Sequence, residues 1–100
     1  MKKGMKRKYH FYVYIMSNYK RTTFYTGFTD HIIRRVIEHK SGLGSQFTKK
    51  YRLKYLVYFE EHQYVNNAIA REKEIKKWRR EKKIRLIKSL NLEMKNLTKP

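Results

Sequence analysis

Four residues between positions 25 and 39 carry functional groups that could take part in a reaction. They supply a phenol, a backbone position without a side chain, a permanent cation and an imidazole: Tyr25, Gly27, Arg35 and His39. Arg35 and His39 lie one helical turn apart, so on a helix they share one flank. A turn with a purely structural role needs fewer polar functional groups than this. We therefore interpret the segment as one half of a site.

A carboxylate in the second half of the chain interrupts an apolar pattern. Helical spacing groups five apolar residues into one arc: Val65, Ala68, Ile69, Ile75 and Trp78. Glu72 falls near the middle of that arc. A carboxylate that faces a core must be paired, protonated or bound to a cation, because its bare burial costs several kcal/mol. Taken alone, Glu72 favours a structural ion pair with an arginine such as Arg35 over a catalytic role.

Each of these residues has an ordinary explanation when it is considered singly. A lone histidine or tyrosine is most often packed at the margin of a core, and a lone arginine most often pairs with a carboxylate or phosphate. The histidines are not spaced as metal ligands on any one element: His10, His31, His39 and His62. A site therefore requires the fold to bring the residues together.

Three segments have the composition of β-strands. The first starts at His10 and places Tyr14 on the face opposite Val13. The second, from Thr23 to Phe28, follows a Ser-Asn turn and is expected to pair with the first in antiparallel fashion. The third, from Lys54 to Glu61, is the most apolar, so we expect both of its faces to be covered. Spacing alone leaves the strand order open.

Two regions are expected to be helical. The first has an apolar stripe at helical spacing: Ile32, Ile33, Val36 and Ile37. Thr29 or Asp30 is expected to cap this helix, and Gly42 to end it. The second region, from Tyr64 to Lys88, contains neither proline nor glycine and predicts two helices or one bent helix. Arg71 and Lys76 in this region are candidate nucleic-acid contacts.

The segment SGLGSQFTKKYR, between the first helix and the third strand, is polar and contains two glycines. Its backbone amides could meet phosphate groups, together with three basic side chains: Lys49, Lys50 and Arg52. A plain surface loop is an equally good interpretation of this segment.

Charge dominates the composition. The chain has 26 Lys and Arg residues against 8 Asp and Glu, a formal charge of +18. This predicts a polyanionic partner, with nucleic acid ahead of an anionic membrane surface and ribosomal RNA. There is no cysteine and no apolar run long enough to span a membrane. We expect a soluble cytoplasmic protein with a basic tail over residues 1–9, one domain over residues 10–97, and no obligate protein partner.

The order of the polar residues resembles a family of nucleases. Tyr12-Val13-Tyr14 is followed by Tyr25-Thr26-Gly27, then by Arg35 and His39, and then by an Ala-x-x-Arg-Glu-Lys run at positions 68–73. This series resembles the GIY-YIG endonuclease superfamily. More narrowly, it looks like the small stand-alone bacterial members, which are related to the nuclease domain of an excision-repair endonuclease. Tyr-x-Gly alone is a weak signal, whereas the ordered series is specific.

The resemblance implies an α+β fold, with a small three-stranded antiparallel sheet flanked by helices. It also implies that Tyr14 and Tyr25 shape the centre and help to activate water, and that Arg35 holds the scissile phosphate. Glu72 would bind one divalent metal ion, Mg²⁺ or Mn²⁺, and His39 would orient or assist the nucleophile. One carboxylate suffices for magnesium, which keeps several waters. Gly27 would let the backbone approach the phosphate.

Three positions depart from the family pattern. Tyr12 stands where the family name has glycine, a substitution that the small bacterial group tolerates. Phe28 follows Gly27 where some members carry a lysine, which leaves the general base open. Asn91-Leu92-Glu93-Met94 occupies the place of the family's Asn-Pro-x-Trp, which makes Asn91 a possible site asparagine.

Together these features favour a metal-dependent endonuclease that hydrolyses DNA phosphodiester bonds, in a structure-directed or weakly sequence-specific manner, in repair or recombination. The alternative is a non-catalytic DNA- or RNA-binding module on the same fold, because positive charge supports binding and says nothing about cleavage. A ribosome-associated protein is a third hypothesis.

Overall fold

The computed structural model describes residues 10–98 of the 100-residue chain, so the predicted tail over residues 1–9 lies outside the described part. The elements, in chain order, are β1 (Phe11–Ser17), β2 (Phe24–Thr29), α1 (Ile32–Lys40), α2 (Gln46–Lys50), β3 (Tyr55–His62), α3 (Val65–Lys76) and α4 (Arg80–Leu90). The predicted α+β fold, with a three-stranded antiparallel sheet and flanking helices, is confirmed.

The strand order is β2-β1-β3, so β1 is the central strand. Every residue from Val13 to Ser17 is buried, because β1 has a neighbour on each side and packed residues on each face. The expectation that β3 is covered on both faces is wrong over its second half. Residues 56–58 are buried, but β3 lies at the sheet edge and Phe59 is exposed.

The two faces of the sheet support separate cores. Val13 and Ile15 point toward α3 and α4, where they pack with Ala68, Ile75 and Ile87. The opposite face packs against α1 and its connection to β3, through a second group of buried residues: Tyr14, Met16, Val36, Leu53 and Leu56. The strand alternation predicted for Tyr14 and Val13 is therefore confirmed, and the tyrosine face holds the polar residues of interest.

Helix α1 packs through a different stripe from the one predicted. Ile33 and Ile37 are 57% and 56% exposed, whereas Val36 and His39 are buried. The inward stripe is Ile32, Val36 and His39, which also has helical spacing. Hydrophobicity favoured the two outer isoleucines, but His39 is buried because it finds hydrogen-bond partners there.

The ends of α1 are fixed by local hydrogen bonds. The N-cap is His31, whose Nδ1 accepts from the backbone N–H of Arg34 at 3.2 Å, so the predicted cap at Thr29 or Asp30 is wrong. Thr29 instead accepts the N–H of His31 through its hydroxyl. The predicted end at Gly42 is confirmed, since Gly42 follows the helix with a φ of 79°, a conformation that glycine adopts without strain.

The loop predicted before β3 contains a short helix, α2. Ser45 caps α2 by accepting the N–H of Thr48, and the Thr48 hydroxyl accepts the N–H of Ser45 in return. The two-helix interpretation of the last region is confirmed, with a break between α3 and α4. Within residues 10–98, no helix is long and apolar enough to cross a membrane.

Candidate active site

Tyr14 and His39 form a buried hydrogen-bonded pair on the tyrosine face of the sheet. The Tyr14 hydroxyl lies 2.9 Å from His39 Nε2, and both residues are about 1% exposed. Tyr14 is placed by the middle of the central strand, and His39 by the last turn of α1. The fold therefore joins two predicted site residues that are 25 positions apart in the sequence.

Thr48 fixes which nitrogen of His39 carries the proton. The Thr48 hydroxyl donates to the carbonyl of Ser45 at 3.0 Å, so toward His39 Nδ1, also at 3.0 Å, its oxygen acts as an acceptor. His39 Nδ1–H is then the donor to Thr48. This leaves Nε2 to accept the O–H of Tyr14. The pair is therefore directed, with the Tyr14 proton pointing at His39.

Two glycines make room for this pair. A Cβ atom on Gly27 would lie 2.3 Å from Cζ of Tyr14, and a Cβ atom on Gly44 would lie 2.1 Å from Nδ1 of His39. The Tyr14 ring covers Gly27 on this face, and the expected approach of a phosphate to the Gly27 backbone remains a prediction. Gly44 and Thr48 were missed, and the Gly-Ser-x-x-Thr pattern at the start of α2 was the available signal.

Tyr25 lies at the exposed margin of the pair. Its ring centroid is 6.3 Å from that of Tyr14 and 5.5 Å from that of His39, and the side chain is partly exposed. The Tyr25 hydroxyl makes no hydrogen bond within residues 10–98. Lys76 Nζ lies 5.9 Å from the Tyr25 ring centroid. The partly exposed phenol of Tyr25 therefore lies beside the buried phenol of Tyr14, which is held by its hydrogen bond to His39.

Two charged residues lie near the pair, and each forms a single ion pair in the part of the chain that the structure describes. Glu72 pairs with Lys76 at 2.9 Å. The predicted structural ion pair between Glu72 and Arg35 is therefore wrong. Arg35 instead lies 3.3 Å from Glu38 through Nε, which makes no hydrogen bond within the described residues although it is shielded from solvent. The Glu72 side chain is 17% exposed. Both charged groups remain accessible from the surface.

The electrostatics of the site keep the central pair neutral. Burial is the largest cause that raises the pKa of Tyr14. The neighbouring Tyr25 and Glu72 raise this pKa further, and Arg35 only partly opposes them. Burial and Arg35 lower the pKa of His39 to about 4. Burial therefore outweighs the lowering effect of Arg35 on the pKa of Tyr14. Arg35 lowers the pKa of Tyr14 and Glu72 raises it.

Arg71 does not join this site. Its Nε donates to Glu60 at 2.9 Å and its Nη1 to Glu74 at 3.3 Å, and its guanidinium lies over the ring of Trp78. Arg71 thus belongs to an ion-pair network with two carboxylates, and the nucleic-acid contact predicted for it remains a prediction.

Asn91 is also a structural residue. It caps α4 and is buried, and its Nδ2 donates to the carbonyls of Val57 at 2.9 Å and Lys95 at 2.7 Å. Its Oδ1 accepts the N–H of Lys95. Both of its amide hydrogens are used within the fold, and its assignment as a site asparagine remains a prediction.

The departure at Phe28 has little bearing on the central pair. The Phe28 ring stacks on Phe11, with centroids 6.1 Å apart, and packs with the α3 and α4 core on the other face of the sheet from Tyr14. The nucleic-acid contacts predicted at Lys49, Lys50 and Arg52 remain predictions. All three residues are exposed, at α2 and just after it.

The donor set restricts which metal ion the site could take. Within residues 10–98, no three His, Cys, Asp or Glu side chains are grouped as metal ligands. A zinc site of the usual three or four protein ligands therefore does not fit. The single carboxylate of Glu72 fits a hydrated Mg²⁺ or Mn²⁺ ion that takes its remaining ligands from water and phosphate.

Comparison with known proteins identifies the class. A family model described as the GIY-YIG catalytic domain matches residues 10–85. The chain therefore belongs to the GIY-YIG family, a family of nucleases that act on nucleic acid.

The most informative relatives are small proteins named UPF0213. The chain is 41% identical to a UPF0213 protein of Staphylococcus saprophyticus over 76 residues, which cover 76% of this chain and 92% of the relative. It is 44% identical to one of Staphylococcus aureus strain Mu3 over 64 residues, 64% of this chain and 78% of the relative. The solution structure of a UPF0213 protein from Bacillus halodurans has a TM-score of 0.57 at 30% identity, covering 89% of this chain and 94% of that one. The predicted resemblance to small stand-alone members is thus confirmed.

Proposed function

We propose that this protein is a metal-dependent endonuclease that hydrolyses DNA phosphodiester bonds in a structure-directed or weakly sequence-specific manner, in repair or recombination. The observation that carries the proposal is the grouping of Tyr14, His39 and Tyr25, with Lys76 joining Glu72 to the Tyr25 ring and Arg35 one turn before His39 on α1. A cation and a carboxylate that flank a neutral pair are what phosphodiester hydrolysis requires, because negative charge develops on the phosphoryl oxygens.

Tyr25 is the group that meets the attacking water. Its hydroxyl is free of intramolecular hydrogen bonds within residues 10–98, whereas the Tyr14 proton is directed at His39. As general base, Tyr25 would accept a proton from the attacking water as a phenolate, whose own proton has already passed to solvent, and the positive charge of Lys76 above the ring favours that negatively charged form. Tyr14 and His39 then act as positioning residues that hold the Tyr25 ring by contact.

Arg35 binds the scissile phosphate. Its guanidinium is partly exposed and its only ionic partner within the described residues, Glu38, is three positions away on the same helix. A phosphate offers charge-assisted hydrogen bonds to the unused donors. Glu72 would hold Mg²⁺ or Mn²⁺, which when bound stabilises the negative charge that develops on the phosphoryl oxygens.

The test is cleavage of single-stranded, nicked and branched DNA with Mg²⁺ or Mn²⁺. We expect Glu72→Gln to lower the cleavage rate by about 100-fold or more, because it removes the metal ligand. Glu74→Gln, on the same helix and exposed, is the matched control and should cut at the parental rate. Equal cleavage by the parent and Glu72→Gln would refute the proposed role.

The excess positive charge supports a second candidate, a non-catalytic DNA- or RNA-binding module on the same fold. Salt-sensitive binding to nucleic acid without any metal-dependent product would favour this candidate. Co-sedimentation with ribosomes would extend it to RNA.

A further inference from the structure

A second concave surface lies between the β1–β2 hairpin and the segment that joins α2 to β3. This surface, which we name the hairpin cavity, has a volume of about 340 Å³, within the range of roughly 300–1,000 Å³ for small-ligand sites. Three tyrosines and three basic residues contribute to its lining: Tyr19, Tyr51, Tyr55, Lys20, Arg52 and Lys54. None of the proposed catalytic residues lines it.

Aromatic rings connect the hairpin cavity to the active site. The Tyr25 ring centroid lies 6.3 Å from that of Phe47, and the Phe47 centroid lies 4.8 Å from that of Tyr51. Tyr19 and Tyr55, inside the cavity, have centroids 6.1 Å apart. Tyr19 is 77% exposed and Tyr51 is 44% exposed. Partly exposed aromatic rings therefore lie along a path that begins at Tyr25.

The charge around these rings has one sign. No Asp or Glu residue lines the hairpin cavity, and within residues 10–98 its three basic residues form no ion pair. Lys50 lies over the Tyr51 ring, with Nζ 5.4 Å from the centroid, and Arg21 lies over the Tyr55 ring at 4.7 Å. Basic residues without an ion pair, beside partly exposed rings, suit a ligand that combines negative charge with flat aromatic groups.

We propose that the hairpin cavity binds an unpaired base of single-stranded DNA, whose backbone continues past Phe47 to the active site. Bases inside a duplex are stacked on one another, so their faces cannot stack on protein rings, whereas an unpaired base can stack on Tyr51 or Tyr19. The basic residues bind the phosphates on either side. The substrate is then DNA with a single-stranded segment next to the scissile bond, a preference that rests on the proposed function.

The binding step can be tested without cleavage. A short fluorescein-labelled strand is titrated with protein in EDTA, as single-stranded DNA and as the same strand in a duplex, and anisotropy is measured. We expect Tyr51→Ala and Tyr19→Ala each to weaken single-strand binding by about tenfold and to leave duplex binding unchanged. Tyr51→Phe keeps the ring and should bind as the parent does. Tyr64→Ala removes an exposed tyrosine outside the cavity and is the matched control.

Three results would overturn the proposal: single-strand binding by Tyr51→Ala and Tyr19→Ala at the parental level, an equal loss on the duplex, or tighter binding of an RNA strand of the same sequence. Thermal unfolding of each variant separates lost binding from lost folding. Because metal and cleavage are absent, a protein that binds single strands through these rings but never cuts DNA would keep this inference and refute the proposed nuclease.

Discussion

Glu60 and Glu72 have equally exposed side chains, 17% each, but they are held in different ways. Glu60 accepts hydrogen bonds from Tyr58 and Arg71, and His62 is also within hydrogen-bonding distance. Within residues 10–98, Glu72 has one partner, Lys76, which is itself about half exposed. A carboxylate with several partly buried partners is part of the structure, whereas one with a single exposed partner can exchange it for another cation.

The difference extends to the residues around each carboxylate. We name them the Glu60 cluster, which consists of Tyr58, Glu60, His62 and Arg71, and the Tyr14 cluster, which consists of Tyr14, Tyr25, Arg35, His39 and Glu72. The Glu60 cluster ties β3 to α3 with mutual hydrogen bonds. At the centre of the Tyr14 cluster, the neutral residues Tyr14 and His39 are hydrogen-bonded to each other. Its charged residues, Arg35 and Glu72, are partly exposed. The exposed fractions of Glu60 and Glu72 do not distinguish the two clusters, but the number of hydrogen-bond and ion-pair partners of each carboxylate does.

Cleavage activity should separate the two clusters most strongly. Tyr25→Phe should lower the cleavage rate by about 100-fold, the scale of a lost proton-transfer group, and leave stability unchanged because the hydroxyl has no intramolecular partner within residues 10–98. Tyr58→Phe removes a hydroxyl from the Glu60 cluster and should cut at the parental rate. Gel-based cleavage with Mn²⁺ measures both variants, and comparable losses in the two would erase the proposed distinction.

The sequence was sufficient to predict the sheet, the two-helix region and the proximity of Tyr14 and Tyr25. Alternating and helical hydrophobic spacing define these elements, and the family resemblance orders their polar residues. The burial of His39 could not be read from hydrophobicity, which favoured Ile37. Its burial depends on hydrogen bonds to Tyr14 and Thr48, which are distant in sequence.

Residues with a polar side chain and no obvious apolar role were hardest to assign. Asn91 and Arg71 match the family pattern in type and position. Asn91 nevertheless donates its hydrogen bonds to backbone carbonyls, and Arg71 donates its hydrogen bonds to carboxylates. Whether a donor is free or used depends on tertiary contacts, which spacing does not reveal. Gly44 and Thr48 were missed because their importance lies in the shape around His39.

Acid should weaken the two clusters in different pH windows. The folded-state pKa of His39, about 4, is below the ordinary value of 6.5, so its contribution is complete above pH 6.5 and is lost as the pH falls toward 4. This loss is about 3 kcal/mol in the free energy of unfolding. Burial opposes the ionisation of Glu60, but hydrogen bonds from Arg71 and its other partners lower its pKa below 4.5, so its contribution is lost only at lower pH.

Urea unfolding between pH 7.5 and pH 4 measures the first window. His39→Asn should flatten the dependence, and His62→Gln, in the Glu60 cluster, should preserve it. A parental stability that is constant across this range would contradict the assignment of a neutral, buried His39.

Glu60→Gln should reduce stability by about 2 kcal/mol, because it removes the charge that faces the partly buried Arg71. Glu72→Gln loses only a pair with an exposed lysine and should change stability by less than about 0.5 kcal/mol. Thermal or urea unfolding compares them at neutral pH. A larger loss for Glu72→Gln than for Glu60→Gln would reverse the proposed assignment of structural and functional carboxylates.

A weaker effect is expected at Lys76. Its ammonium group competes with a metal ion for Glu72, so Lys76→Met should tighten Mn²⁺ binding by about threefold, the scale of an exposed ion pair. Free Mn²⁺ is measured by electron paramagnetic resonance without DNA, and Lys77→Met, just after the same helix, is the control. Weaker Mn²⁺ binding by Lys76→Met would show that the ammonium does not compete.

Paramagnetic broadening of the amide NMR signals would locate bound Mn²⁺ and so decide which of the two carboxylates holds the metal. We expect broadening around Glu72 and Tyr25 in the parent and in Glu60→Gln, and its loss in Glu72→Gln. Broadening centred on Glu60, or broadening around Glu72 that survives Glu72→Gln, would contradict the assignment of Glu72 as the metal ligand.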